Sequence, residues 1–149
     1  MMRLAFTKGG GKYDRLEVLR DGAAPETIDC PKQGIIPHDM VHFAVESVMA
    51  ARGFLSILAD GAPATFAPGG DSAESIERLV ETIQAEAWSG PAPAAEVVAL
   101  YELTCDARGS TVIPVDAAAI DAIRARMAEL TAQWAAVPVG GTLTLAFGG

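Results

Sequence analysis

The longest strongly helical run of apolar and polar positions is residues 37–60. There Val41, Val45, Val48, Met49, Phe54, Leu55 and Leu58 recur at helical intervals, and Met40, Phe43 and Ile57 widen the apolar surface beyond one stripe. A helix apolar over so much of its circumference packs on more than one side. Proline at a first helical position loses no hydrogen bond and has a suitable φ, so the pattern predicts one long helix starting at Pro37 and running to Asp60. Asp39 then lies in the first turn, where a carboxylate complements the free backbone N–H groups and the helix dipole.

Elsewhere the period changes. Residues 4–7 and 15–20 alternate apolar and polar, which predicts two strands joined through Lys8-Gly9-Gly10-Gly11-Lys12. Residues 26–29 suit a short third strand, followed by a loop from Cys30 to Gly34. The prolines and glycines of residues 62–70 break the pattern. Asp71 with Glu74 then forms a capping box ahead of Ile76, Leu79, Val80 and Ile83, predicting a helix over about residues 72–88. Its outer residues Glu74, Glu77, Arg78, Glu81 and Glu86 read as a solvated face. Residues 96–105 contain strand-favouring types, but Pro93 and Glu96 before them and Arg108 and Gly109 after them are helix punctuation. A last helix opens at Pro114 and Asp116, with Ile120, Ile123, Met127, Leu130 and Trp134 forming a narrow seam for another helix, in the same domain or in a second copy. Residues 142–147 alternate again as a closing strand. Together these elements predict one α+β domain over residues 1–149. It is a small antiparallel sheet of the N-terminal hairpin plus the C-terminal strand, with about four helices mainly on one face.

Composition adds little to that fold but narrows the function. The chain of 149 residues is half apolar and one-fifth charged, enough for a single core without staples. The first residues lack the apolar run of a signal peptide and no stretch suits a membrane span, which gives a cytoplasmic expectation with Cys30 and Cys105 as reduced thiols. The net charge is −8: residues 1–34 hold six basic groups against five acids, and the remainder holds five arginines against fourteen acids. An acidic body without a basic stripe argues against nucleic acid or an anionic membrane as partner.

The candidate chemistry lies on the helix that starts at Pro37. His38, His42 and Glu46 are four residues apart each time and so share one face. Histidines at i and i+4 can chelate one ion, as in the helical half of zinc-protease motifs, but His-Asp-x-x-His carries a shorter acid than the His-Glu-x-x-His those motifs require. Eight residues at ~1.5 Å rise separate His38 from Glu46 by roughly 12 Å, against ligand bonds of about 2 Å. One ion therefore cannot be held by all three, and Glu46 is expected to pair with His42, orienting its ring or acting with it as an acid/base couple. Further ligands to zinc or another divalent transition metal would come from Asp39, Cys30, Cys105 or Asp60. The competing expectation is that His42 and Glu46 are a satisfied polar pair at a packing seam. The glycine run ending at Lys12 lacks the spacing of a phosphate-binding loop and precedes a strand where that motif needs a helix, so it reads as a hairpin turn.

Residues 37–46, Pro-His-Asp-Met-Val-His-Phe-Ala-Val-Glu, resemble a segment that recurs in small bacterial proteins of unassigned function. The resemblance implies a family pattern and no activity or residue roles. With no nucleophile elbow, Cys-x-x-Cys pair or dinucleotide glycine pattern in the chain, the leading expectation is a binding or assembly module that forms a homodimer. The alternative is a metal-binding protein or metal-dependent enzyme, hydrolytic or otherwise acid/base, centred on His38, His42 and Glu46. A third reading is a small-molecule pocket under residues 62–70, walled by Phe66 and a tryptophan.

Overall fold

The alternating segments form one antiparallel sheet. A computed structural model describes residues 2–49, 53–64 and 71–148. Strands β1 (Met2–Thr7), β2 (Tyr13–Arg20), β3 (Glu26–Pro31) and β4 (Thr142–Phe147) are ordered β3-β2-β1-β4, so the chain's last strand pairs beside its first hairpin as expected. Cross-strand partners Leu4 and Val18, Leu4 and Leu145, and Phe6 and Leu16 all point to one face, which is buried. On the other face Arg3, Arg15, Glu17 and Thr144 are exposed. The glycine loop is a hairpin turn: the Gly9 N–H donates to Asp14 at 2.9 Å, and a Cβ on Gly9 would lie 2.0 Å from the Tyr13 carbonyl oxygen.

Between β3 and β4 the described residues form five helices: α1 (His38–Val48), α2 (Phe54–Ala59), α3 (Asp71–Ser89), α4 (Ala94–Arg108) and α5 (Ala117–Ala135). The fold is α+β, with one helix more than the sequence pattern suggests, because the long helix expected over residues 37–60 is two. The ambiguous residues 96–105 are helical within α4, and Asp116 caps α5 by accepting the Ala119 N–H at 2.8 Å. Residues 50–52 and 65–70, including Phe66, lie outside the described residues, as does the side chain of Asp71 proposed for the capping box.

Helix α1 touches α2, α3 and α5, while α4 touches α3 and α5, so four helices form a closed ring with α1 and α5 against the sheet. Phe43 of α1 meets Phe147 of β4, and Trp134 of α5 meets Phe6 of β1, both edge to face, with centroids at 6.3 and 6.5 Å. Ile120, Ile123, Leu130 and Trp134 are buried in this core, so the α5 seam serves the domain itself. Among the described residues no helix is long and apolar enough to cross a membrane.

The break after α1 has a specific physical cause. Met49 and Gly53 have extended backbones, and α2 begins with free N–H groups that need acceptors. Glu46 supplies them from inside the protein. Its Oε1 accepts the N–H groups of Gly53 and Ser56 and the Ser56 hydroxyl, each at 3.1 Å, and its Oε2 accepts the Leu55 N–H at 3.0 Å. The carboxylate seats against Gly53 so closely that a Cβ there would lie 2.6 Å from both Glu46 Cδ and an Ile76 methyl carbon. Gly53→Ala is therefore expected to destabilise the protein by about 1–3 kcal/mol through overpacking. Urea unfolding checks this, and an unchanged midpoint would mean that Glu46 is not seated against α2.

Candidate metal centre

The i, i+4 spacing on α1 places both imidazoles beside α3. His38 and His42 lie edge to face with ring centroids 4.9 Å apart. Nε2 of His38 is 3.1 Å from Glu77 Oε1, and Nε2 of His42 is 2.8 Å from Glu77 Oε2. Both rings thus aim the same nitrogen at one carboxylate. His42 is 1% exposed, whereas Glu77 and His38 are partly exposed.

The hydrogen bonds behind the rings fix which nitrogen carries the proton. On the His38 side, the Ile36 carbonyl can only accept, so the Gln33 Nε2 that lies 2.8 Å from it donates. That same amide donates to Gln84 Oε1 at 3.0 Å. Gln84 Oε1 therefore accepts from His38 Nδ1–H at 2.9 Å. On the His42 side, Glu46 Oε2 accepts from Nδ1–H at 3.0 Å. When neutral, each imidazole accordingly has its lone pair on Nε2, facing Glu77. A lone pair facing a carboxylate at 3 Å is repulsive, so these positions need a positive species at the contact. Protons on both rings satisfy it, and so does a metal ion.

The proton-filled form has consistent electrostatics. Burial alone would depress the His42 pKa, but the Glu46 and Glu77 carboxylates outweigh it and raise the ring to about 9. Burial likewise opposes charge on His38, and Glu77 with Gln84 raises it overall. Partial burial would raise Glu77, yet hydrogen bonds and charge from the two histidines hold it well below the usual carboxylate range.

The donor atoms of His38, His42 and Glu77 all lie within 4.8 Å of one another, and these three are the one group with metal-ligand chemistry among the described residues. Around one ion with bonds of about 2 Å such atoms are roughly 3.3 Å apart, so modest side-chain rotation closes the site. In front of them is a cleft of about 540 Å³, also lined by Asp39, Phe54, Glu74, Arg78, Arg108 and Ser110.

The other sequence candidates are placed differently. Glu46 sits behind His42 and orients it. Asp39 lines the cleft without making a cap hydrogen bond, and burial raises its carboxyl. Cys30 is buried in the sheet core, where burial and then Asp39, Asp14 and Asp29 push its thiol up to about 12. Cys105 is buried on α4 beside Tyr101, and Asp60 is exposed at the end of α2. Neither tryptophan walls the cleft: Trp134 packs on Phe6, and Trp88 donates to the Gln33 carbonyl at 2.8 Å. The solvated-face reading of α3 fails at Glu77, which turns inward to α1, and it misses Gln84. Their seven-residue separation, two helical turns among buried Ile76, Val80 and Ile83, is the signal that marks them as facing α1.

Comparison with protein-family models, curated proteins and solved structures gives no match, so the site is interpreted from its own chemistry.

The metal-free protein should show a specific pH dependence. His42 has a folded pKa of about 9 against an ordinary 6.5, so its contribution to stability is complete below pH 6.5 and is lost as pH rises through 9. Glu77 is shifted down from 4.5, so its contribution is present above that pH and is lost as pH falls below it. Urea midpoints measured from pH 4 to 10 should therefore decline on the alkaline side, with the decline much reduced in His42→Ala. A flat alkaline limb in the parent protein would contradict the assigned contacts.

Proposed function

We propose that the protein binds one divalent transition-metal ion, zinc before others, through Nε2 of His38, Nε2 of His42 and a carboxylate oxygen of Glu77. The observation that supports this is the convergence of two Nε2 lone pairs on one carboxylate, with both Nδ1–H groups already held from behind by Gln84 and Glu46. Imidazole ligands are characteristically oriented in this way by acceptors on the far nitrogen. Two imidazoles and a carboxylate suit zinc and its neighbours, and three protein ligands facing a cleft leave room for a fourth from a bound molecule. Asp39, in the same cleft, is the acid/base group nearest in sequence to the ligands. A cytoplasmic setting, with both cysteines reduced and buried, belongs to this reading.

Elemental mass spectrometry of the tag-free protein tests it, before and after reconstitution with zinc. About one equivalent should be found, and His42→Ala and Glu77→Gln should each lower affinity by at least about a hundredfold while circular dichroism stays helical. No retained metal in the parent protein after reconstitution would reject the proposal.

A second reading, an assembly module that forms a homodimer, is supported by Leu100 and Leu103, which stand 46% and 64% exposed on α4. Sedimentation velocity across a hundredfold concentration range should then show a dimer that Leu103→Glu dissociates. A monomer throughout that range would exclude it.

A further inference from the structure

We propose that the cleft in front of the metal centre receives a small molecule bearing a carboxylate or phosphate group. One of its oxygens faces the ion and another faces Arg78 and Arg108. This inference rests on the metal-binding reading and adds the chemical class of the ligand.

The argument begins with the two guanidinium groups. Both line the one cleft that holds His38, His42 and Glu77, and they are the only basic side chains besides the histidines to do so among the described residues. Arg108, exposed in the last turn of α4, lines the cleft and forms no ion pair among the described residues. Arg78 follows Glu77 on α3 and lines the same cleft. Its Nη2 donates to Glu81 at 2.9 Å, but its buried Nε has no hydrogen-bond partner. An arginine fork is shaped for the paired oxygens of a carboxylate or phosphate, and Arg108 offers one that is exposed to the cleft and unpaired.

The acids nearby do not fill this need: Asp39 lines the same cleft but forms no ion pair with either arginine among the described residues. Glu77 is engaged by the histidines, Glu46 is committed to α2 and His42, and Glu81 reaches Nη2 of Arg78 while leaving Nε free. Glu74 is at the exposed rim. Ser110, just beyond α4, also lines the cleft on the Arg108 side. At about 540 Å³ the cleft is of the size that encloses a small metabolite. A fourth position on an ion held by His38, His42 and Glu77, and the exposed, unpaired guanidinium of Arg108 on the adjacent wall, would both favour an anionic oxygen ligand.

The test uses the full chain loaded with cobalt(II), whose visible bands report a change of ligand. It is titrated with inorganic phosphate and, separately, with malonate. At least one anion should shift the bands with a dissociation constant below about 1 mM, and the tighter of the two identifies the phosphate or carboxylate source. Arg108→Gln and Arg78→Gln should each weaken that binding about tenfold with cobalt still at one equivalent, while Arg126→Gln on α5 leaves it unchanged. Arg108 is exposed, so its variant decides the matter even where Arg78→Gln folds poorly. Cobalt bound at one equivalent with neither anion shifting the bands, or with Arg108→Gln binding as tightly as the parent, overturns this inference and leaves the metal reading intact. Absence of bound cobalt overturns both, so the cobalt content separates the two failures.

Discussion

The carboxylate of Glu46 is the interaction on which the site and its surroundings depend. It accepts from three backbone N–H groups at the start of α2, from the Ser56 hydroxyl and from His42 Nδ1, and its side chain is fully buried. A buried charge is tolerated when donors surround it, and these five replace the water it has lost. The same group ends the continuity of α1 into α2 and fixes the ring of His42. Local folding and site geometry are therefore a single arrangement here. An amide at position 46 would turn an N–H toward other donors, so Gln is a poor substitute despite its matching shape.

From that anchor the rest of the cluster follows. Glu46 directs the His42 lone pair outward, Gln84 does the same for His38, and both meet Glu77. Positive charge must sit between these groups whether protons or an ion supply it. Metal binding at such a place displaces protons, which ties affinity to pH through ordinary competition. His42 also packs edge to face on Phe54, with centroids 5.7 Å apart, so α2 both receives the Glu46 carboxylate and covers the imidazole.

Much of the fold was legible in the sequence because period-2 and period-3.6 patterns report burial directly. Leu4 and Phe6, Leu16 and Val18, and Leu145 and Phe147 mark the buried face of the sheet without reference to the helices. The i, i+4 histidines and the pairing of His42 with Glu46 were legible for the same reason, since both lie on one helix. The division of the long helix was not, because apolar residues keep to helical intervals across it, from Val45, Val48 and Met49 to Phe54, Leu55 and Leu58, and the cause is a carboxylate reaching seven to ten positions ahead. Glu77 was hidden among Glu74, Glu81 and Glu86, which share its charge and stand on the same helix. Which acid faces α1 is decided by how two helices dock, and that is a tertiary property.

Docking of α1 against α3 has a further consequence. The pair runs antiparallel at the site, with His38 opposite Gln84 and both histidines opposite Glu77. A slide of one helix past the other by about a turn, ~5.4 Å, would present Glu74 or Glu81 to the histidines with similar charge. Such a slide would separate His38 from Gln84, and with it from Gln33 and the Ile36 carbonyl. The neutral amide of Gln84 thus works as an index mark that selects one acid from a row of near equivalents.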